Sequence, residues 1–272
     1  MATAGLGNFL IDARKDDGIE AARMRKRLQN KVAIVTGAGN GMGRATAQLF
    51  ADEGAHVIAV DVRKDDLAQW YGVRNVVPLD IDVTRIEDLE RLATETRKRF
   101  GRLDALCNIA GINDLNYPLL DTDDERWDKV IDVDLKAPFR LCRCVVPLML
   151  DTGGSIVNIG SYAALRGNHG VSYTAAKAGL EGLTRSIAFE FMDKGIRCNI
   201  VHPGGTRTDI GAHSGGAYHA DGKRLSSIVA AMPQGWFGDA EDIARTCLFL
   251  CSDDASHING AVISVDGGMS CC

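Results

Sequence analysis

The chain has 272 residues, of which 46% are hydrophobic and 25% are charged, and its formal net charge is −5. This length can bury a large core without disulfides or metals, and the composition is typical of a globular protein. The acidic balance argues against a nucleic-acid partner, because proteins that bind phosphate backbones usually carry a basic excess. No apolar run approaches the roughly 20 residues that cross a bilayer, so we expect no membrane association.

The eight cysteines show no pattern of a metal site. None belongs to a pair of CxxC motifs or to a Cys and His set with zinc spacing, so we predict no metal. Several stand in apolar surroundings, where cysteine behaves as a small hydrophobic residue. The first residues also lack a basic start followed by an apolar stretch, as a secretory signal has. We therefore expect free thiols in a reducing, cytoplasmic compartment.

In chain order, residues 1–30 form a charged N-terminal extension, and 31–272 form a single domain. From Lys31 onward, short apolar runs rich in β-branched residues alternate with helix-like segments. This alternation is typical of a parallel sheet with helices on both faces. We predict an α/β fold, a Rossmann-like doubly wound parallel sheet of about seven strands. The helix-like segments are Arg44–Glu53, Thr84–Phe100, Glu125–Leu150, Ser172–Asp193 and Asp239–Ser252.

The first predicted strand, Val32–Thr36, leads directly into the glycine-rich turn GAGNGMG at Gly37–Gly43. A helix that starts after such a turn presents free N–H groups to a phosphate. The turn matches neither G-x-G-x-x-G nor the Gly-Lys-Ser/Thr of a P-loop, and it could be purely structural. Its position between the first strand and the first long helix favours nucleotide binding.

The second apolar run, HVIAVD, ends at Asp61, 18 residues after Gly43. A carboxylate at that strand end can accept hydrogen bonds from both ribose hydroxyls of NAD, and it repels the 2′-phosphate of NADP. The spacing favours this interpretation over an ordinary turn aspartate. We predict NAD as the preferred cofactor, with Arg63 as the residue that could oppose this preference.

Tyr173 and Lys177 are four residues apart in a helix-like stretch, which puts them on one face. A free tyrosine has a pKa near 10, and a neighbouring ammonium group stabilises its phenolate. Such a pair can take a proton from an alcohol or give one to a carbonyl oxygen. Ser161 ends the preceding strand and could hold the same substrate oxygen.

These motifs occur in one order along the chain, and together they resemble the short-chain dehydrogenases/reductases. The resemblance covers Lys31 to about Gly268. It rests on TGAGNGMG, the acidic end of the second strand, NIAG at Asn108–Gly111, Ser161, Tyr173-x-x-x-Lys177, HPGGTRT at His202–Thr208 and the ending ASHINGAVISVDGG.

The resemblance implies a role for each matching residue. Ser161, Tyr173 and Lys177 would be catalytic, and the segment after Thr208 would cover the substrate. The active form would be a homodimer or homotetramer, with Glu125–Leu150 and Ser172–Asp193 at one interface. The implied cofactor residues are Gly37, Asn40, Gly41, Met42 and Gly43 at the pyrophosphate and adenosine ribose, Asp61 at the ribose diol, Asp82 and Val83 at the adenine, Asn108, Ala110 and Gly111 near the nicotinamide half, Tyr173 and Lys177 at the nicotinamide ribose, and Pro203, Gly204, Thr206 and Thr208 around the nicotinamide amide.

Three positions depart from the family pattern. One Asn of the usual NNAG is missing or displaced in CNIAG, and the spacing from Ser161 to Tyr173 is one residue shorter than usual. Asp134 stands where the family usually has Asn, a residue that supports a water chain to the lysine largely through its backbone carbonyl. Asp134 keeps that carbonyl and a side-chain acceptor but has no amide donors. We include it among the catalytic candidates.

The predicted function is NAD-dependent interconversion of a secondary alcohol and a ketone, with Tyr173 as the acid or base. The substrate is a small molecule, possible classes being hydroxysteroids, polyols and acyl ketones. Two alternatives stay open at this point. One is a dinucleotide-binding protein that has lost its chemistry, which Asp134 would favour. The other is a different reaction on the same scaffold, such as epimerisation or dehydration.

Overall fold

A computed structural model describes residues 26–167, 169–208, 210, 214, 218–220 and 237–271. Residues 1–25 of the predicted extension, and most of the segment after Thr208 that was expected to cover the substrate, lie outside this range. Lys26–Asn30 already contact the domain. The side chain of Leu28 is fully buried and its N–H donates to the carbonyl of Glu53 at 3.1 Å.

Seven parallel strands form one sheet, as predicted. In chain order they are β1 (Val32–Thr36), β2 (His56–Asp61), β3 (Val76–Asp80), β4 (Ala105–Asn108), β5 (Gly154–Ile159), β6 (Ile196–Pro203) and β7 (Val262–Val265). Their order across the sheet is β3-β2-β1-β4-β5-β6-β7. The chain thus winds outward in both directions from β1 and β4, which confirms the doubly wound Rossmann-like fold.

The main helices are α1 (Gly41–Asp52), α2 (Ile86–Phe100), α3 (Asp124–Ile131), α4 (Ala137–Val145), α5 (Val171–Glu190) and α6 (Ala240–Cys251). Alternate residues of each central strand face opposite layers, since side chains of a strand point up and down in turn. Ala33 and Val35 pack with Phe50 of α1 and Leu248 of α6. The other face packs against α2, α4 and α5 through a second core, which includes Val32, Ile34, Leu92, Leu141 and Ile187.

The prediction of one helix-like segment over Glu125–Leu150 is wrong in its continuity. A π-helical turn at Asp132–Lys136 separates α3 from α4, and Val146–Leu148 form a short 3₁₀ turn. Pro138, in the first turn of α4, has no N–H to donate to the Asp134 carbonyl four residues earlier. The helix therefore widens at Asp134, and π-turns of this kind occur frequently at functional sites.

Candidate active site

The residues predicted to be functional converge at the carboxyl ends of β1, β4, β5 and β6. The strand order reverses between β1 and β4, and crevices at such a point are the usual ligand sites of open α/β sheets. Thr36 ends β1, and its hydroxyl oxygen accepts the N–H groups of Ile109 and Ala110, at 2.9 and 3.0 Å. Motif reasoning missed this contact, which joins the glycine turn to the loop after β4.

The glycine turn has the backbone that its sequence predicts. Gly37 and Gly41 have φ of 68° and 50°, which favours glycine at both positions. A Cβ on Gly43 would collide with the carbonyl oxygen of Gly37. Asn40 caps α1, and its side-chain oxygen accepts the N–H of Gly41 at 2.6 Å. The turn therefore brings bare backbone and a helix N-terminus to the cavity, as phosphate binding requires.

Asp61 lies at the end of β2 beside this turn. Its Oδ2 accepts the N–H of Gly39 at 2.9 Å, and its Oδ1 accepts the N–H of Arg63 at 3.0 Å. Each carboxylate oxygen has two lone pairs, so each keeps the capacity to accept one hydroxyl. The Arg63 guanidinium lies between two carboxylates, with Nη2 2.8 Å from Oδ2 of Asp66 and Nε 3.7 Å from Oδ1 of Asp61. The acidic group and the glycine turn together fit a dinucleotide.

A cavity runs along this edge from the glycine turn to the loops after β3 and β4. It also includes residues that motif reasoning did not select, among them Val62, Thr84 and Val133. The predicted cofactor residues that line it are Gly37, Asn40, Gly41, Met42, Gly43, Asp61, Asp82, Val83, Ala110, Gly111 and Thr208.

Asn108, unlike Ala110 and Gly111, is not part of the cavity wall. It is buried, and its side-chain amide donates to Oδ1 of Asn158 at 2.8 Å, which links β4 to β5. The amide of Asn158 donates in turn to the Thr184 hydroxyl on α5 at 2.9 Å. From this position, Asn108 supports the loop after β4 from the protein interior.

Pro203, Gly204 and Thr206 also lie outside the lining, at the carboxyl end of β6. The N–H of Gly204 donates to the carbonyl of Val265 at 3.1 Å. Thr206 forms an isolated parallel bridge with Gly238, which closes the loop after β6. The same loop brings Thr208 within contact range of the glycine turn at Gly41.

The structure brings Ser161, Tyr173 and Lys177 together, and all three are buried. Ser161 is close enough to Tyr173 to lower the pKa of the phenol, and the Lys177 Nζ lies 5.5 Å from the centre of the Tyr173 ring. Lys177 also donates to the carbonyl of Ile159 at 3.0 Å. The serine oxygen accepts the N–H of Ala163 at 3.1 Å. Two hydroxyls and an ammonium group thus meet in one buried place.

Asp134 lies directly behind this group. Its Oδ1 accepts the N–H of Ile112 at 2.9 Å, and its Oδ2 is 3.9 Å from the Lys177 Nζ. That second oxygen is buried and accepts no hydrogen bond from the residues that the structure describes. Burial raises the pKa of Asp134 to about 6, although Lys177 and the Ile112 N–H act in the opposite direction.

The tyrosine is a weak acid in this environment. Burial raises the pKa of Tyr173 well above its ordinary value, and the nearby Asp134 carboxylate adds to the rise, while the hydrogen bond with Ser161 lowers it. Because desolvation disfavours the charged form, Tyr173 stands as a neutral phenol that can donate a proton. Taking a proton requires the phenolate, which the Lys177 ammonium group stabilises.

A buried histidine supports the serine from beneath, and sequence analysis did not select it as a site residue. The Nδ1 of His202 accepts the N–H of Ser161 at 2.9 Å, so the proton of the neutral ring is on Nε2, which lies 2.9 Å from Oε1 of Glu181. Burial lowers the pKa of His202, which favours this neutral form. A Cβ on Gly160 would collide with the imidazole ring. In the sequence, only the motif His202-Pro203-Gly204 pointed to this histidine.

Metal clusters and membrane-spanning helices would indicate other kinds of function. In the part of the chain that the structure describes, no group of three or more His, Cys, Asp or Glu side chains is placed to hold a metal ion. Among the same residues, no helix combines the length and the apolar character needed to cross a membrane. The seven described cysteines are free thiols.

Comparisons with known proteins agree with the fold and the motifs. The family model described as Enoyl-(Acyl carrier protein) reductase matches residues 37–270. The chain is 37% identical to 3-oxoacyl-[acyl-carrier-protein] reductase FabG of Thermotoga maritima over 250 residues, which is 89% of this chain and 99% of that protein. It is 35% identical to the NAD-dependent glycerol dehydrogenase of Listeria innocua, over 89% and 94% of the two chains. The crystal structure of levodione reductase superposes with a TM-score of 0.83 at 34% identity, covering 90% of this chain and all of the other. The chain therefore belongs to the short-chain dehydrogenase/reductase family of dinucleotide-dependent oxidoreductases.

Proposed function

We propose that this protein is an NAD-dependent dehydrogenase that interconverts a secondary alcohol and a ketone, with Tyr173 as the acid or base. The observation that carries the proposal is the buried cluster of two hydroxyls and one ammonium group beside the cavity. In it Ser161 is close enough to Tyr173 to lower the pKa of the phenol, and the Lys177 Nζ is 5.5 Å from the Tyr173 ring centre.

The side chains have distinct tasks in this proposal. Ser161 holds the substrate oxygen by a hydrogen bond, and Tyr173 exchanges a proton with the same oxygen. Lys177 stabilises the phenolate during alcohol oxidation by its positive charge. The bound nicotinamide supplies the redox chemistry, hydride transfer to or from the substrate carbon.

NAD is the proposed cofactor, in preference to NADP. The Asp61 carboxylate lines the cavity and retains acceptor capacity for a ribose diol. A 2′-phosphate at the same place would lie against this negative charge. Arg63 lines the cavity as well, and its guanidinium is paired with both Asp66 and Asp61, so two carboxylates offset its single charge. The glycerol dehydrogenase relative, whose name specifies NAD, adds support.

The substrate is proposed as a small-molecule alcohol or ketone of the polyol, hydroxysteroid or acyl ketone class. The names of similar proteins span these classes, from glycerol dehydrogenase to 3beta-hydroxysteroid dehydrogenase 2 and 3-oxoacyl-[acyl-carrier-protein] reductase. A cytoplasmic location remains part of the proposal, with the free thiols as its support.

A homodimer or homotetramer is the proposed assembly. Apolar side chains are exposed on the two helical segments that the family resemblance assigns to an interface. Phe189 of α5 is 75% exposed, and Trp127 of α3 and Phe139 of α4 are also exposed. Apolar groups on a surface of this kind support contact with a second copy of the chain.

The direct test is a turnover assay with NAD and NADP on four substrates: glycerol, a 3β-hydroxysteroid, a 3-oxoacyl thioester and levodione. Tyr173→Phe serves as the matched control, because it removes one hydroxyl and keeps the ring. We expect turnover of at least one substrate, a preference for NAD, and loss of that turnover in the variant. Full activity in Tyr173→Phe would overturn the assignment of the base.

One observation favours a second candidate, a dinucleotide-binding protein without catalysis. Asp134 places a buried carboxylate 3.9 Å from the Lys177 Nζ, where it competes with the phenolate for the ammonium group. NADH binding measured by fluorescence, together with no turnover across the panel, would select this candidate.

A further inference from the structure

The loop after β4 carries a buried carboxylate that the proposed reaction does not use. Asp114 is fully buried. Its Oδ2 accepts the Ser172 hydroxyl and the N–H of Tyr173, both at 3.0 Å, and its Oδ1 accepts the N–H of Asn116 at 3.0 Å. A carboxylate with three donors, two of them in the first turn of α5, connects this loop to the helix that carries the proposed base.

Helix α5 lacks an N-terminal cap of its own. Gly170, at the N-cap position, has no side chain to accept a helix N–H, and the first turn Val171–Thr174 contains no acidic residue. Asp114 supplies the missing acceptor and the negative charge that a helix N-terminus favours. A Cβ on Gly170 would collide with both carboxylate oxygens of Asp114. The glycine therefore leaves the room that the aspartate occupies.

The loop that holds Asp114 is strained. Leu115 and Asn116 have φ of 59° and 57°, and left-handed backbone is costly for a bulky residue such as leucine. The Leu115 N–H donates to Oδ1 of Asn113 at 2.6 Å, and its carbonyl accepts the N–H of His219 at 3.0 Å. Strained conformations of this kind persist where surrounding contacts over-determine them, and they cluster at functional sites.

The same loop contacts the chain beyond Thr208. The N–H of Asn113 donates to the Ser214 hydroxyl at 2.8 Å, and His219 is bound to Leu115 as described. The ring of His219 also lies 4.8 Å from that of Tyr117. Asp114 is therefore at the centre of a junction between the loop after β4, the start of α5 and the segment expected to cover the substrate.

Asp114 is one of several ionisable groups around the proposed base. Tyr173 is surrounded by Asp114 from the loop after β4, Asp134 from the π-helical turn, Tyr218 from the segment beyond Thr208, and Lys177 from its own helix. His169, from the loop before α5, is also close, with its ring centre 6.1 Å from that of Tyr173. The Asp114 carboxylate raises the pKa of Tyr173, an effect smaller than those of burial and of Asp134. The charge thus disfavours the phenolate.

We propose that Asp114 is a positioning residue for Tyr173: it anchors the first turn of α5 to the loop after β4 and fixes the hydroxyl of the base relative to the substrate. This role rests on the proposed function, in which Tyr173 exchanges the proton. Asp114 does not touch the reacting atoms in this role. It acts through the backbone N–H of Tyr173 and through its charge.

The test uses Asp114→Asn, which keeps the size of the side chain and removes its charge. We expect kcat for the fastest substrate of the panel to fall at least about tenfold, with NADH affinity within about threefold of wild type, since a small misplacement of a catalytic group is costly. For alcohol oxidation, which needs the phenolate, we also expect the acidic limb of kcat/KM against pH to move to lower pH by about half a unit or more, because the lost charge opposed the phenolate.

Ser172→Ala is the matched control, because it removes one donor to Asp114 and leaves the charge. We expect a smaller fall in kcat and no movement of the acidic limb. Both variants should show faster amide hydrogen exchange in a peptide covering residues 171–176, a measurement that needs no turnover. If Asp114→Asn does not fold, the proposal is tested with Ser172→Ala, by its amide hydrogen exchange in residues 171–176 and by its kcat.

The outcomes separate the two proposals. An inactive wild type overturns the proposed function, while the exchange data still report whether Asp114 anchors α5. An active wild type whose Asp114→Asn variant keeps its kcat and pH profile, with only a lower melting temperature, overturns the positioning role. Unchanged exchange in both variants also overturns it.

Discussion

Replacing Asp134 with Asn changes one charge and little else. The variant keeps the size of the side chain and the oxygen that accepts the Ile112 N–H. It removes the negative charge 3.9 Å from the Lys177 Nζ. An NH₂ group replaces Oδ2, the buried oxygen that has no hydrogen bond among the described residues. We expect effects on both stability and the pH dependence of turnover.

The stability effect follows from the pKa of Asp134, which burial raises to about 6 from an ordinary value of 3.8. The folded state holds this proton between about pH 4 and pH 6, while the unfolded state has released it, so stability falls as pH rises through this window. Two pKa units correspond to about 3 kcal/mol. We therefore expect Asp134→Asn to be more stable than wild type by up to about 3 kcal/mol at pH 7, with no gain at pH 4.

The kinetic effect follows from the position of the charge. The Lys177 Nζ is 3.9 Å from Oδ2 of Asp134 and 5.5 Å from the Tyr173 ring centre, so the carboxylate lies at most about 9 Å from that ring. At an effective dielectric of about 20, a unit charge at that distance opposes the phenolate by about 2 kcal/mol. Removing it lowers the pKa of Tyr173 by about one unit. We expect the acidic limb of kcat/KM for alcohol oxidation to move to lower pH by that amount.

The assay is urea unfolding at pH 4 and pH 7, together with kcat/KM against pH, for wild type and Asp134→Asn. Asp132→Asn is the matched control, because Asp132 lies in the same π-helical turn but its side chain is 43% exposed and pairs with Lys136 at 2.7 Å. We expect this control to change neither measurement by much. Equal stability at pH 7 and identical pH profiles for Asp134→Asn would refute the reasoning. Turnover in Asp134→Asn alone would mean that Asp134 silences the site.

Three further changes test the site. Tyr173→Phe should lower kcat by about 10²–10⁴-fold and leave NADH binding, measured by fluorescence, close to wild type; strong loss of binding would contradict this. Asp61→Ala should reduce the ratio of kcat/KM for NAD to that for NADP, because the repulsion of the 2′-phosphate is relieved; an unchanged ratio would remove Asp61 from the determinants of cofactor choice. Gly43→Ala should weaken NADH binding and destabilise the fold by about 1–3 kcal/mol, because the new Cβ would meet the Gly37 carbonyl oxygen; calorimetry and titration check both effects.

Much of the fold could be predicted from the sequence, because its signals are local. The five central strands are almost wholly buried and so stand out as apolar runs. The edge strands β3 and β7 are only partly buried, and their β-branched residues made them visible. The glycine turn follows β1 directly, and the spacing of Tyr173 and Lys177 on one helix is a property of the helix itself. These features put most of the expected cofactor residues on the cavity wall without any knowledge of long-range contacts.

The remaining features depend on residues far apart in the chain, and only the tertiary structure decided them. Pro138 was visible, but the π-helical turn it accompanies and the burial of Asp134 behind Lys177 depend on how α3, α4 and α5 pack. Asp114 caps a helix that starts 57 residues later, and His202 supports Ser161 from another strand. No local propensity encodes such contacts, because each forms only when the sheet brings the carboxyl ends of its strands together and excludes water from the polar groups that meet there.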